Sequence, residues 1–534
     1  MPLILGDSNK KTRATSRERR FQLQFRPMRR TKHLLQSSIL VILFFGLGKL
    51  TGLVRTRLVS VTFGTGRAFD AFTAANQLPE VFFIVIAGGS LAAAFIPVYS
   101  AYLHDKGQQA AMKLANTVLT LVIVILGLLS ATGALFAPWL TRTILVPDFD
   151  PATQALTAVI MRIILIQTTI FGISGVLSSV LNAHQHFALP ALAPIALDIG
   201  YWLGLVFLVP SQGILGLAWG TVIGAVLHVA IQLPALVRYR YRYRPTFNLR
   251  LDGMREIIRL MGPRIVTLGV IQLSDLYIVR LASALPPGST SGYFYGFALM
   301  QLPETLFGTA IALVVFPTLA ELFNEGDMAG LRQTAVNTLS IIWTLTIPSA
   351  AGLVLLGQPA VSFLLEGGNF TAESTRLVYS ILVVFSIRIV SEATLEIVAR
   401  LFYARHNTRI PMFAYLGWLA VTIFLAYLFV GSMGVAGLAL STTVAFTLLS
   451  TVLFWLNHRA LGYLWNRQLS QSAARAILAT AGMSLVIITI NRFVTTPLLF
   501  LALGAVIGSL TYLLLNMLLG GQEIRSLVRL LQRQ

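Results

Sequence analysis

Residues 46–63 read GLGKLTGLVRTRLVSVTF and residues 76–102 read NQLPEVFFIVIAGGSLAAAFIPVYSAY. Each run approaches or exceeds the roughly 20 apolar residues that a membrane-spanning helix needs. Lys49, Arg55 and Arg57 stand in the first run, among residues that belong in hydrocarbon. An ionised side chain near a bilayer centre costs about 2.5 kcal/mol or more, so it is normally kept facing a protein interior or a water-filled cavity. Three cations in one segment point to a cavity that attracts an anion; the alternative for Arg57 is that it snorkels to the membrane boundary. Lys49 and Arg57 lie about 80° apart around a helix, whereas Arg55 and Arg57 are nearly opposite. One cavity therefore accommodates Lys49 and one arginine, unless the chain bends near Gly46, Gly48 and Gly52. The second run carries Pro79, Gly88-Gly89 and Pro97, which bend a helix and let its neighbours approach closely. A charged helix beside a bendable one suits a moving pathway.

Working outward, the whole chain of 534 residues is 56% hydrophobic and only 11% charged, with a mean hydropathy of +0.77. Soluble proteins carry about 25% charged residues, so an all-α polytopic membrane protein is expected. There is no cysteine, which excludes disulfides, thiol catalysis and cysteine metal sites. The net charge of +20 does not indicate nucleic acid, because the basic residues lie between hydrophobic segments and in the tails. The tail 1–35 holds ten Lys and Arg against Asp7 and Glu18, the composition of a cytoplasmic segment that fixes orientation and touches anionic lipid.

The hydrophobic runs divide into about 14 transmembrane helices. The expected plan is a basic tail (1–35), a lobe of six helices (36–237), a basic cytoplasmic connector (238–256), a second six-helix lobe (257–457), and two further helices with a basic tail (458–534). With both termini inside, the outer loops hold only Arg67, Arg142, Arg376 and Arg492, and the inner loops hold the bulk of the arginines. That asymmetry obeys the positive-inside rule. An internal repeat supports two pseudo-symmetric lobes: Gln77-Leu-Pro-Glu80 and Gln301-Leu-Pro-Glu304 each open the second helix of a lobe. Repeated halves around a central site are the common plan of secondary transporters.

Three further constellations carry charge into the membrane. The tenth segment (376–402) spaces Arg388, Glu392, Glu396 and Arg400 four residues apart, which stacks them along one slowly drifting stripe. This is either a self-neutralising ladder that holds helices together or a polar track in which Glu392 or Glu396 exchanges a coupling proton or cation. The seventh segment (257–285) carries Asp275 with Arg280 five residues on, about 140° away and so not a simple pair. Asp275 is either a tether between helices or a third coupling carboxylate. His184 and His186 lack a third ligand for a metal, and no metal or cofactor is expected. No phosphate-binding glycine loop, nucleophile elbow or zinc-protease pattern occurs, so no enzyme is indicated.

The stretches GLVRTRLVSVTFGTGRAFDAF (52–72), LNAHQHFALPALAPIALDI (181–199), GPRIVTLGVIQLSDLYI (262–278), LLEGGNFTAEST (364–375) and LFYARHNTRIPM (401–412) resemble the MurJ/MviN family of lipid II flippases, in the multidrug/oligosaccharidyl-lipid/polysaccharide exporter superfamily. The resemblance implies two six-helix lobes in a V around a cavity, a lipid groove at the two extra helices, and alternating access. It implies a bacterial inner-membrane monomer that moves an undecaprenyl-pyrophosphate-linked cell-wall precursor, with no nucleic acid partner. Carried over by position, Arg55 sits at a cavity arginine of the family, Asp70 at its outer-side aspartate and Lys49 at another arginine. Phe83 and Ala298 stand where members carry cavity arginines, Gly88 where they carry a glutamate and Thr56 where they carry an aspartate. Arg280 and Arg388 are left as candidates to supply the missing charge. The expected substrate set is therefore Lys49, Arg55, Arg57, Asp70, Arg280 and Arg388, and the expected ion-coupling set Asp275, Glu392 and Glu396. The rival functions are export of another lipid-linked oligosaccharide, a cation-coupled drug or solute antiporter on the same fold, and a non-transporting scaffold for envelope enzymes.

Overall fold

Apolar segments in a bilayer must satisfy their own backbone groups, which favours helices, and the computed structural model contains no strand among the described residues, 43–44, 46–521 and 523. Both charged tails expected from the sequence lie outside them. Residues 46–63 form helix α1. There follow α2 (Arg67–Asp105), α3 (Gly107–Leu135), α4 (Pro151–Ala183), α5 (Ala188–Gln212) and α6 (Ile214–Arg238). The second lobe comprises α7 (Asp252–Ala282), α8 (Ser289–Asn324), α9 (Met328–Leu365), α10 (Ala372–Ala404), and the continuous stretch Arg409–Ala460. The pair α13 (Arg467–Phe493) and α14 (Pro497–Leu518) completes the chain.

Eleven helices among the described residues are long and apolar enough to cross a membrane. Arg409–Ala460 counts there as one, yet it reverses: Gly434 has φ 57° and ψ −135°. A side-chain carbon on Gly437 would overlap the backbone of Phe429, eight residues earlier, where a straight helix would separate them by about 12 Å. Its arms are α11 (409–433) and α12 (435–460). The turn between α5 and α6 is made the same way. Gly213 has the same φ and ψ, and Gly216 abuts the backbone of Leu208 and Val209.

That match belongs to a series. Residues 213–218 read GILGLA and residues 434–439 read GVAGLA. Among the described residues, positive φ occurs without glycine at Gln185, Arg240, His406 and Tyr463, pairing at separations of 221 and 223 residues. Gly64 pairs with Gly288, and Gly107 with Gly326, in the same manner. Only chain reversals in the left-handed region, which L side chains avoid, recur this regularly. The repeat is therefore visible in the backbone far beyond the QLPE tetrapeptides.

Helices α1 to α6 enclose two apolar clusters, one around Phe95, Tyr99 and Leu114 and one around Phe72, Met161 and Leu217. The second lobe packs around Phe385, Ile381 and Met300, with a further cluster around Leu331, Ile342 and Leu401. The α13–α14 pair rides on α9 through Leu356, Met483 and Phe500, and the Tyr512 hydroxyl donates to the carbonyl of Thr344.

Between α6 and α7 the connector turns at Arg240, φ 54°, and then runs as a strap without regular structure over 241–248, with tyrosine and arginine alternating as far as Arg244. Tyr239 and Tyr241 pack on the first lobe, while Arg240, Arg242 and Arg244 are exposed. The strap is fastened by Gln108 Nε2 donating to Tyr239 O at 2.9 Å and Asn116 Nδ2 to Arg242 O at 3.1 Å. It ends earlier than the sequence indicates, because Asp252 already opens α7 and the Gly253 amide donates to Tyr102 Oη at 2.8 Å. Met254 and Ile257 are buried in the first lobe and Ile278 in the second, so α7 bridges the two.

Candidate functional site

One face of the molecule is sewn shut between the lobes. Asp70, 1% exposed, accepts hydrogen bonds from Gly288 N at 2.6 Å, Ser291 N at 2.8 Å and Ser291 Oγ at 2.7 Å. A carboxylate on free amides at a helix start satisfies donors that have no partner within the helix and meets the positive end of its dipole. Here the carboxylate belongs to α2 and the helix is α8, across the lobe boundary. Asn369 N donates to Val61 O at 2.8 Å and Asn369 Nδ2 to Thr62 O at 2.6 Å. Ser60 Oγ donates to Leu365 O at 2.9 Å. The backbones are so close that a side chain on Gly64, Gly288 or Gly368 would overlap a carbonyl of the opposing lobe.

Arg57 and Arg280 belong to this clasp. Arg57 Nη1 donates to Phe363 O at 3.3 Å, and Arg280 Nη1 donates to Thr143 O at 2.7 Å and Ile144 O at 3.2 Å. The structure thus turns Arg57 away from Arg55, as helical geometry predicts.

Behind the clasp lies a cavity of about 410 Å³ between α1, α5 and α8. Lys49 and Arg55 both line it, with Thr56, Asp198, Ala298 and Gln301. Arg55 Nη1 is 2.9 Å from Asp198 Oδ1, and its guanidinium lies over the Tyr201 ring at 4.8 Å from the centroid. Asp198 Oδ2 accepts from Thr51 Oγ1 at 2.5 Å. Asp198 is 3% exposed, whereas 31% of the Arg55 side chain is accessible. The buried carboxylate therefore fixes the guanidinium from behind and leaves part of its donor fork facing the cavity, the geometry that suits a phosphate oxygen. Two cations and one carboxylate line the space, so it carries a positive surplus.

The second lobe has the opposite balance. Arg388, 5% exposed, has Nε 2.7 Å from Glu392 Oε2 and its guanidinium 3.8 Å from the Phe446 centroid. Arg400 pairs with the Glu396 carboxylate and donates to Glu396 O at 2.8 Å. Both arginines are thus engaged within the ladder. Asp275 lies within electrostatic reach of Glu80, Arg388 and Glu392. Glu304, 3% exposed, accepts from Thr309 Oγ1 at 3.1 Å and neighbours Glu392, Glu396 and Arg388. Four carboxylates of the second lobe, with Glu80 of the first near Asp275, thus gather around two arginines. No group of three metal-ligating side chains occurs among the described residues.

Asp198, Glu80 and Glu304 were not among the site residues expected from sequence. Asp198 is the lone charged residue of α5, a signal that was available in the residues. Glu80 and Glu304 close the two QLPE tetrapeptides, where their role as repeat markers hid their place in the polar interior.

A sequence model for the family described as lipid II flippase MurJ matches residues 59–507. A probable lipid II flippase MurJ of Bdellovibrio bacteriovorus is 31% identical over 420 residues, spanning 78% of this chain and 80% of the relative. The lipid II flippase MurJ of Burkholderia cenocepacia is 29% identical over 415 residues, 76% of this chain and 80% of its own. Among solved structures, a lipid II flippase MurJ in an inward closed conformation superposes with a TM-score of 0.77 at 23% identity, covering 92% of this chain and all of that one. An inward-facing multidrug resistance MATE transporter of the MOP superfamily superposes with a TM-score of 0.67 at 15% identity, covering 80% of this chain and 98% of that one. At these identities the two structures bear on the fold.

Proposed function

The chain belongs to the MurJ lipid II flippase family, and from that premise we propose that it moves lipid II for peptidoglycan synthesis across the bacterial inner membrane by alternating access. Lys49 and Arg55 receive the pyrophosphate, and the lipid tail stays in hydrocarbon. Carrying a multiply charged headgroup through lipid without a cavity would strip its hydration uncompensated. The cavity supplies fixed donors in place of water. The observation that carries this reading is the Arg55–Asp198 pair behind a cavity that Lys49 also lines.

In this reading the strap and both termini lie in the cytoplasm, in keeping with the arginine-rich strap and the positive-inside rule. The clasp is then the outer gate, closed here, with Asp70, Arg57 and Arg280 acting on the gate rather than on the phosphate. Arg388 positions Glu392, and Asp275, Glu392 and Glu396, joined by Glu304, exchange the coupling proton or cation. Binding an ion in the second lobe biases the equilibrium between gate states, which requires only that its affinity differ between them.

The test is complementation of a strain depleted of its lipid II flippase, with flipping followed by the outer-face accessibility of lipid II. The parent restores growth, and Arg55→Ala, expressed and inserted at parental levels, does not. Rescue by Arg55→Ala overturns the assignment of the phosphate site.

A further inference from the structure

A second cavity, of about 670 Å³, lies on the outer wall of the second lobe between α9, α10 and α12. Its lining includes Trp343, Ile387, Ser391, Thr447, Trp455 and Trp465. Val390 and Thr394, also in the lining, lie about 160° around α10 from Arg388 and Glu392 respectively, so the helix separates this groove from the charged interior. Helix α9 likewise presents Thr344, not Trp343, toward α13, where Thr344 Oγ1 lies 3.4 Å from Ser472 Oγ. The groove is thus distinct from the 410 Å³ cavity and from the surface where α13 packs.

Most of its hydroxyls are already used. Thr447 Oγ1 donates to Thr443 O at 2.8 Å, Thr451 Oγ1 to Thr447 O at 2.7 Å and Ser391 Oγ to Arg388 O at 3.0 Å. Trp343 Nε1 donates to Thr394 Oγ1 at 2.8 Å. What remains for an occupant is mainly hydrocarbon and aromatic surface. The groove extends along α12 from Thr447 to Trp455, about 12 Å, and reaches Trp465 in the turn beyond that helix. Tryptophans favour the boundary between acyl chains and headgroups.

Charge stands at that end. The Arg459 guanidinium lies over Trp455 at 3.7 Å from the ring centroid, and His458 Nδ1 accepts from Trp465 N at 3.1 Å. Between Ile397 and Gln522 the chain has no Asp or Glu, while Arg405, Arg409, Arg459, Arg467 and Arg475 fall within it. No carboxylate from α11 to α13 competes for Arg459, and Asp327, on the neighbouring turn, accepts from Gly330 N at 2.8 Å.

We propose that this groove is a binding site for one anionic glycerophospholipid, with an acyl chain along the tryptophan-lined wall and the phosphate at Arg459. Substrate does not suit it, because a headgroup held at Arg459 is walled off by α10 from Lys49 and Arg55. The proposal is independent of the transport reading.

The test is native mass spectrometry of the full chain released from nanodiscs of phosphatidylglycerol, of phosphatidylcholine or of their mixture, with undecaprenyl phosphate added in a separate arm. One phosphatidylglycerol is expected to survive on the parent, about fivefold less on Arg459→Gln, and none on Thr447→Trp, which fills the groove. Arg55→Gln is expected to retain the lipid fully. Equal retention of phosphatidylcholine, parental retention by Arg459→Gln, or displacement by undecaprenyl phosphate each overturns the proposal. If Thr447→Trp does not insert, Arg459→Gln against the parent decides alone.

Discussion

Helices α4 and α10 occupy corresponding places in the two lobes, 221 residues apart, and end in the same left-handed turn at Gln185 and His406. Their interiors have nothing in common. At the spacing where α10 carries Arg388, Glu392, Glu396 and Arg400, α4 carries Gln167, Phe171, Gly175 and Ser179. Gly175 lets α4 approach the Ala87 carbonyl, where α2 is interrupted between Ile86 and Gly89, whereas Glu396 in the second lobe holds Arg400. Helix α1 brings cations to the first lobe and α7 brings Asp275 to the second. The repeat keeps the devices that reverse the chain and frees the helix interiors to diverge. In the reading proposed above, one lobe holds the anion and the other the protons or cations.

The division can be broken first at its strongest point. Asp198→Ala removes the group that orients Arg55, and charge-assisted hydrogen bonds of this kind are worth about 1.5–3 kcal/mol. Lipid II flipping is expected to fall by about tenfold to a hundredfold, with its dependence on ion gradients unchanged. Altered ion dependence would place Asp198 in coupling and erase the contrast.

The complementary experiment is Glu392→Gln with Glu396→Gln. Flipping is expected to fall about tenfold and to lose its response to proton or sodium gradients, while binding of lipid II to purified protein stays at the parental value. A variant that keeps its gradient response returns α10 to a structural ladder.

Asp70→Asn tests the clasp that joins the lobes. Losing a charged cap on a helix start costs about 1–2 kcal/mol, so the outer-open population should rise about tenfold. Because the chain has no cysteine, an introduced Ala298→Cys is unique. Its labelling by an impermeant thiol reagent from the clasp face reports the shift, and an unchanged rate removes Asp70 from the gate.

The smallest effect is expected at the turns themselves. His184, which accepts or donates a hydrogen bond with Tyr99 Oη at 3.1 Å and stacks on Tyr239 at 4.6 Å, occupies the position of Arg405 in the other lobe. Burial lowers the pKa of His184, and burial with the nearby Arg238 lowers that of His186. The folded state therefore favours the neutral rings. Their contribution is full above the unfolded value of about 6.5 and is lost as pH falls through it. Hydrogen-exchange protection in 239–244, corrected for the intrinsic pH dependence of amide exchange, should fall between pH 7 and pH 5 and become flat in His184→Gln, His186→Gln.

Much of this was legible in the residues. Class, lobes and family follow from apolar run lengths, the QLPE pair and a handful of ungapped stretches, because a membrane leaves the backbone little choice. Helical angles alone separated Arg55 from Arg57 and left open which of the two joins Lys49. What sequence could not give was partnership across the chain. Asp198 meets Arg55 over 143 positions and Asp70 meets Gly288 over 218. Such pairings depend on how helices lean, which no local pattern records. The reversal at Gly434, by contrast, was legible, because the division into about 14 segments already parts Arg409–Ala460 there.

The clasp between the lobes is fastened largely by main-chain groups: the amides of Gly288, Ser291 and Asn369, and the carbonyls of Val61, Thr62 and Leu365. Such a lock concentrates its demands on a few positions, the side chains of Ser60, Asp70 and Asn369 and the glycines at 64, 288 and 368 that let the backbones meet. A compound designed to wedge it would have to imitate a peptide edge, and a resistant cell would find few side chains there to alter.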